Sequence, residues 1–556
     1  MKKFNLLLLS LLSGLLMAAG WPVRGFPGLL FIGIIPLLFI EDYISLHRSR
    51  FIKFSLLFYT LPAFLIWNAL TTWWIFNSTG MGAILAIFLN SLFMAIVFSL
   101  FHFSKRLLKN DAAGYACLVF YWMAFEYLHL NWSLNWPWLN LGNGFSSYYQ
   151  WVEWYEFTGT FGGTLWILLV NILGYNLLKQ KAKGKRHQAP DNRQQASGIR
   201  HPASGIRYLA SFLWLLLILA PILISRIIYV NYHEEKHPVN VVLVQPNLDP
   251  YKEQYSVTPA TVIGRIMKLA GPVLDSNTNF MVAPESAIQE DMWENNIQTF
   301  SSIHLLRDVI RQYPKLNILV GGSTFYKFPT NDNLPGSARK FTDTNEYYNA
   351  YNTAIMINSA DSLQLYHKSK LTPGVESLPS FGRVKFMEKF AINLGGIVGT
   401  LGTDDARKVY STVNTVKASP IICYESIFGE FFAEFVKNGA QVMFIITNDG
   451  WWGNTAGYRQ HFSFANLRAI ETRRSIGRSA NTGISAFIDQ RGDATQKTNY
   501  WEPAVIKGTI NASSTMTFYV KHGDYLAKIA VFCGTGFFLI SLILWYKSRK
   551  QLTINH

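Results

Sequence analysis

Three stretches of the 556-residue sequence set a reactive group where a short apolar run stops. Phe280-Met-Val-Ala-Pro-Glu285-Ser286 ends in an acid, Leu365-Tyr-His-Lys368-Ser-Lys370 in two amines, and Pro420-Ile-Ile-Cys423-Tyr-Glu425 in a thiol. An acid can take the thiol proton, an ammonium can stabilise first the thiolate and then an oxyanion, and the sulfur can attack a carbonyl. Together they would support covalent acyl chemistry. Taken singly, each has a plainer reading: Cys423 as an inert buried thiol, Glu285 as a helix cap or ion-pair partner, Lys368 as a solvated strand-end charge. Lys370 shares the side alternation of Lys368 and rivals it. The other cysteines, Cys117 and Cys533, fall in long apolar runs, so Cys423 is the sole thiol between 231 and 521. Three cysteines exclude a disulfide framework.

The elements that must position these groups alternate. Runs at Val239–Val244, Phe280–Ala283, Leu316–Gly321, Ala354–Asn358, Pro420–Cys423, Val442–Thr447 and Ile484–Ile488 predict strands buried on both faces. Amphipathic stretches at Thr258–Leu274, Phe300–Tyr313, Ile427–Asn438 and Gly457–Arg474 predict helices between them. Such alternation points to a layered α/β domain, with reactive groups at the crevice beyond the strand ends.

The rest of the chain reads differently. Half of all residues are hydrophobic and only 15% are charged, against about 25% in soluble domains, which excludes a disordered or collagen-like chain. Apolar runs at Asn5–Ala19, Phe26–Ile40, Phe54–Ile75, Met81–Phe101, Ala112–Leu130, Thr160–Leu178, Tyr208–Tyr229 and Leu526–Tyr546 predict about eight membrane spans. The first also has the form of a signal peptide, with Lys2-Lys3 before Leu6–Leu16. The expected organisation is a seven-span membrane domain at 1–230, a catalytic domain at 231–521, and a final span with its tail at 522–556. If the N-terminus lies in the cytoplasm, nineteen Lys and Arg fall on the inner side and only Arg24 in the short outer loops. The net charge of +16 therefore reports topology and lends no support to nucleic-acid binding. Residues 179–207, with Ala196-Ser-Gly-Ile-Arg200 recurring as Ala203-Ser-Gly-Ile-Arg207, read as a flexible inner linker. The Trp-rich outer segment Asn131–Glu156 reads as an interfacial aromatic belt or, alternatively, as a surface that helps a lipid reach the domain above it.

These residues resemble the nitrilase superfamily and, within it, the bacterial apolipoprotein N-acyltransferase family. Pro284-Glu285-Ser286 resembles the general-base block. Tyr366-His-Lys368, followed by Leu371-Thr-Pro373-Gly-Val-Glu376-Ser-Leu-Pro379, resembles the lysine block, and its register selects Lys368 over Lys370. Ile422-Cys423-Tyr424-Glu425 resembles the nucleophile block; Thr447-Asn-Asp-Gly-Trp451-Trp-Gly453, Gln460-His461 and Arg468-Ala-Ile-Glu-Thr472 resemble the blocks that follow it. Ala283 stands where the family usually has tryptophan, Gly374-Val375 where Phe-Gly is common, and Tyr251 or Tyr255 near Gln254 where a functional tryptophan is usual.

The resemblance implies an αββα nitrilase-like domain carrying Glu285, Lys368 and Cys423 as the catalytic set. Supporting roles are expected beside them: Glu376 orients Lys368, shares the proton relay or only builds its loop, Tyr424 and Glu425 shape the oxyanion and amine pockets, and Trp451 and Trp452 are acyl-chain contacts or ordinary core. It implies a phospholipid as acyl donor and the N-terminal amine of a diacylglyceryl-cysteine apolipoprotein as acceptor, with no metal or other cofactor. It also implies a multi-pass protein of the bacterial inner membrane with its catalytic domain on the periplasmic side. The rival within enzymes is a membrane-anchored amidase of nitrilase type that hydrolyses a small amide.

Overall fold

The computed structural model describes residues 3–186, 202–377 and 400–554. Helices occupy all eight predicted span positions. Six are long and apolar enough to cross a bilayer: Pro27–Leu46, Ser55–Asn77, Gly80–Leu108, Thr160–Lys181, Tyr208–Asn231 and Tyr525–Gln551. Lys3–Ala19 has only 17 residues, and Asp111–Asn131 is interrupted by Glu126 and His129. Lys3–Ala19 nevertheless packs one face, with Leu6, Ser10, Ser13, Gly14 and Met17, against the bundle. A Cβ at Gly14 would lie 2.5 Å from the Ala63 carbonyl oxygen, so glycine permits this approach. The inner linker differs from expectation at both ends: Thr160–Arg186 runs through its start, and Pro202–Asn231 contains the second copy of its repeat. The first copy lies outside the described residues.

Among the described residues, the domain between the last two spans holds thirteen strands: β1 (Pro238–Gln245), β2 (Phe280–Val282), β3 (Ile288–Trp293), β4 (Asn317–Lys327), β5 (Arg339–Lys340), β6 (Tyr347–Ile357), β7 (Gln364–His367), β8 (Ala418–Ile422), β9 (Val442–Thr447), β10 (Ile476–Ala480), β11 (Ala486–Ile488), β12 (Ala494–Thr495) and β13 (Ala504–Asn511). One sheet runs β13-β1-β2-β4-β6-β5, with β3 paired to β4 and β7 to β6; the other runs β12-β11-β10-β9-β8.

Side-chain alternation sorts the layers. Val242, Val244, Met281, Ile318 and Val320 pack under the helices Pro259–Ala270 and Ser301–Gln312. Val241, Leu243, Phe280, Val282 and Leu319 turn inward toward the second sheet, where the Phe280 and Phe444 rings meet at 4.9 Å. Helices Gly429–Lys437 and Ala456–Thr472 belong to the second sheet's side, completing αββα layering.

The last of these helices joins the domain to the membrane half. Its Gln460 accepts the indole N–H of Trp138 at 2.7 Å and donates to the Pro22 carbonyl at 2.8 Å. Glu126 holds the outer segment from below, accepting from the Leu141 backbone N–H and the Thr164 hydroxyl, each at 2.7 Å. Trp138, Leu139, Leu141 and Phe145 are consequently buried. The simple interfacial belt is corrected: half of this aromatic segment is core, because it is sandwiched between the membrane helices and Ala456–Thr472.

Candidate active site

Glu285, Lys368 and Cys423 each follow the end of a strand, respectively β2, β7 and β8, and all three line one cavity. Glu285 sits where the backbone of β4 presses close. A Cβ at Gly321 would approach the Glu285 Cα to 2.6 Å, so only glycine fits. Cys423 begins a short 3₁₀ turn and has φ 50°, a left-handed conformation that is costly for a residue with a side chain. Its carbonyl is pinned in compensation: the Ser426 hydroxyl donates to it at 2.8 Å, and His461 Nε2 lies at 3.1 Å.

Lys368 Nζ lies 3.0 Å from Glu285 Oε1 and 2.8 Å from Glu376 Oε1, all three side chains being buried. Asn352, from β6, donates to the same two oxygens at 2.8 and 3.1 Å. The Asn448 backbone N–H donates to Glu285 Oε2 at 3.0 Å, and the Thr372 N–H to Glu376 Oε2 at 2.9 Å. Burial alone would disfavour the ammonium, yet the two carboxylates overcome it and hold the Lys368 pKa well above its ordinary value. The Glu376 carboxyl is displaced below the ordinary range because, against its burial, Lys368 and the Thr372 and Asn352 donors stabilise the charge.

Cys423 behaves oppositely. Burial and then the Glu285 charge push its thiol well up, with Lys368 opposing. The sulfur is thus held as the thiol at neutral pH, in a cavity that Glu285 also lines.

The four remaining expected residues take distinct places. Tyr424 lines the cavity, donates its hydroxyl to the Asn135 carbonyl at 3.0 Å, and stacks on Trp136. Glu425 is fully buried and does not line the cavity. It accepts from the backbone N–H groups of Ser369 (2.6 Å) and Ile422 (2.8 Å) and from the Tyr366 hydroxyl (2.7 Å). Its geometry makes it a brace rather than a pocket wall. Trp451 and Trp452 both line the cavity, and their carbonyls accept from Ser78 (3.0 Å) and Asn77 (2.7 Å) of the membrane half. The Trp452 ring rests on Trp74 at 4.9 Å. Tyr251 and Tyr255 also line the cavity. Lys370 points elsewhere, toward the Leu130 carbonyl and the face of Phe428.

Asn352, Asn448 and Gln254 carry no role in the sequence reading. Gln254 accepts from the Asn448 side chain at 2.7 Å, extending the support of Glu285. Asparagine inside a strand is the available signal for Asn352, since it is a poor β-former. Behind the sulfur, ligating atoms of Cys423, Asp449 and His461 lie within 4.8 Å of one another. They do not fit a metal site. Asp449 is already bound by Arg478 (2.8 Å), Thr447 (2.8 Å) and His461 (3.0 Å), so a guanidinium supplies the positive charge there.

The cavity, about 570 Å³, does not end with the α/β domain. It continues between Leu85, Ala86, Leu89 and Phe93 of the span Gly80–Leu108. The cavity at Cys423 thus opens onto the apolar face of a helix long and apolar enough to cross a bilayer.

The profile for the apolipoprotein N-acyltransferase N-terminal domain matches residues 13–173, and that for carbon-nitrogen hydrolase matches residues 241–518. An apolipoprotein N-acyltransferase of Chlorobaculum tepidum is 28% identical over 538 residues, covering 94% of either chain. That of Thermotoga maritima is 24% identical, covering 94% of this chain and 92% of its own. Among solved structures, an amidase from Nesterenkonia sp. aligns with 52% of this chain and 95% of its own, at 14% identity and a TM-score of 0.34.

Proposed function

Because the chain belongs to the carbon-nitrogen hydrolase family and joins that domain to an apolipoprotein N-acyltransferase N-terminal domain, we propose that it acylates apolipoproteins from phospholipid. The observation that carries this reading is the single cavity shared by Cys423 and the apolar face of the span Gly80–Leu108. Each acyl CH₂ taken out of hydrocarbon costs about 0.8 kcal/mol. A site at the bilayer surface can reach the ester while most of the chain stays in apolar surroundings.

In the first half-reaction Cys423 Sγ attacks the ester carbonyl while its proton passes to Glu285. The oxyanion forms beside the Lys368 ammonium. Collapse breaks the C–O bond, the leaving alkoxide takes the proton back from Glu285, and a lysophospholipid departs. In the second, the N-terminal amine of a diacylglyceryl-cysteine attacks the thioester and gives up its proton through Glu285 to the leaving thiolate. An amide is formed and Cys423 is regenerated as a thiol. One sulfur serving two substrates in turn predicts ping-pong kinetics. Glu376 and Asn352 hold Lys368 and Glu285, and Glu425 braces the lysine and cysteine segments. The bilayer is that of a bacterial inner membrane, with this domain on the periplasmic side.

An amidase of nitrilase type would use the same three residues but has no need of a membrane-lined cavity. The two are separated by supplying a phospholipid labelled in its acyl chains together with a diacylglyceryl-cysteine peptide. Acyl transfer predicts labelled N-acyl peptide and one lysophospholipid per peptide. Free labelled fatty acid without labelled peptide would overturn it.

A further inference from the structure

Two N–H donors in the wall of this cavity are unmatched, and both come from the membrane half. Trp136 Nε1 is buried and has no hydrogen-bond partner among the described residues. Its ring is held by stacking on Trp138 (5.4 Å, 11°) and by Tyr424, the residue after Cys423 (6.4 Å, 17°). His129, 3% exposed, accepts the Trp132 indole N–H at Nδ1 at 2.8 Å. A neutral imidazole in that bond carries its proton on Nε2. That nitrogen has no hydrogen-bond partner of good geometry among the described residues. Buried donors are almost always paired in folded proteins, so two orphans in one cavity point to an acceptor brought by a ligand.

The chemistry of the wall selects the acceptor. Among the described residues Lys368 is the only Lys or Arg lining the cavity, and Glu285 and Glu376 already engage it. A phosphate would thus be buried without a counter-charge. Neutral donors beside Leu85, Leu89 and Phe93 suit a neutral acceptor at the junction of polar and apolar parts of a lipid. An acyl-ester carbonyl meets that description.

We propose that Trp136 and His129 form a carbonyl subsite that binds a non-reacting acyl ester of the glycerolipid substrate and so sets the reacting group at Cys423. This inference rests on the acyl-transfer reading above. Phospholipid donor and diacylglyceryl acceptor both carry such esters, and the two half-reactions distinguish them.

The test uses the full-length protein in lipid nanodiscs. In the donor arm, acyl-Cys423 formation is timed with a diacyl phospholipid and with an analogue whose non-reacting chain is ether-linked. In the acceptor arm, decay of pre-formed acyl-Cys423 is timed with diacylglyceryl and dialkylglyceryl peptides. The natural protein should favour the ester by roughly fivefold, the size of one neutral hydrogen bond, in at least one arm. Trp136→Phe keeps the stacked ring and His129→Phe keeps an aromatic ring beside Phe125; in both, the preference should fall toward one. The ratio is internal to each variant, so partial misfolding cancels. No ester preference in either arm, or a preference surviving at natural size in either variant, would overturn the subsite. Failure of the natural protein to form acyl-Cys423 from any phospholipid is a different result, and it would overturn the acyl-transfer reading itself.

Discussion

The backbone N–H of Ser369 donates to the Glu425 carboxylate at 2.6 Å, which fastens the residue after Lys368 to the residue two past Cys423. Lys368 and Cys423 come from different sheets, and this buried carboxylate ties their segments together. Replacing Glu425 by Ala leaves the Ser369 and Ile422 backbone donors unpaired and the Tyr366 hydroxyl with only the Ser369 hydroxyl as acceptor at 3.3 Å, at about 1–3 kcal/mol for each buried group lost. Glu425→Ala should lower the melting temperature and transfer activity together. Glu425→Gln keeps one acceptor oxygen and should lie between it and the natural protein. Thermal unfolding alongside the rate of peptide acylation checks both.

The Cys423 thiol is raised by burial and by Glu285, and lowered by Lys368. Its thiolate is therefore scarce near neutral pH, and iodoacetamide should alkylate it slowly at pH 8. Removing the Glu285 charge removes one raising cause, so Glu285→Gln should bring the pKa down. Each unit of decrease gives about tenfold more thiolate. Alkylation at pH 8 should accelerate while acyl transfer falls by about a hundredfold or more, as expected for loss of a general base. Slower alkylation in Glu285→Gln would contradict the proposed electrostatics.

Asn352 donates to both carboxylates that hold Lys368. Asn352→Leu should reduce kcat by roughly tenfold to a hundredfold, the range for hydrogen bonds to charged groups. KM for phospholipid should change little, because the amide nitrogen is engaged by the two carboxylates. Steady-state kinetics with a labelled donor separates the two parameters.

Much of this arrangement could be read before folding. Val442–Thr447 is a strand with the predicted bounds, and Val239–Val244 and Phe300–Tyr313 lie within a residue or two of theirs, because continuous branched apolar runs and a strong 3.6-residue stripe leave few alternatives. The acid, amine and thiol stood out because polar residues ending apolar strands need a reason. β10 was not legible: Ile476-Gly-Arg-Ser-Ala480 looks polar, and only the fold shows Arg478 neutralised by Asp449. β13 lies at the sheet edge with mixed burial, and its partner β1 is more than 250 residues away. The site's long-range supports escaped for the same reason. Nothing local tells that Asn352 meets Glu285, or that Glu425, beside the nucleophile, turns away from the cavity. The Trp-rich outer segment misled because aromatic density marks an interface and a core equally well.

The two strand-end lysines should differ sharply. Lys368 is buried between Glu285 and Glu376, whereas Lys370 lies over the Phe428 ring at 4.9 Å with its ammonium donating to the Leu130 carbonyl. Lys368→Met should abolish peptide acylation. Lys370→Ala should keep it within about threefold and cost about 1–2 kcal/mol of stability, the worth of a partly desolvated cation–π contact. Equal losses in both variants would show that the two ammonium groups are not separated as the geometry requires.

The most direct measurement is the intact mass and peptide map of the protein after incubation with phospholipid alone, without an acceptor peptide. A thioester-forming nucleophile predicts one fatty acyl group on Cys423, released by hydroxylamine, stoichiometric with lysophospholipid, and absent from Cys423→Ala. On adding a diacylglyceryl-cysteine peptide, that group should leave the sulfur and appear on the peptide amine. Transfer to the peptide by Cys423→Ala at the natural rate, or transfer with no adduct detectable on a rapid time course, would contradict it.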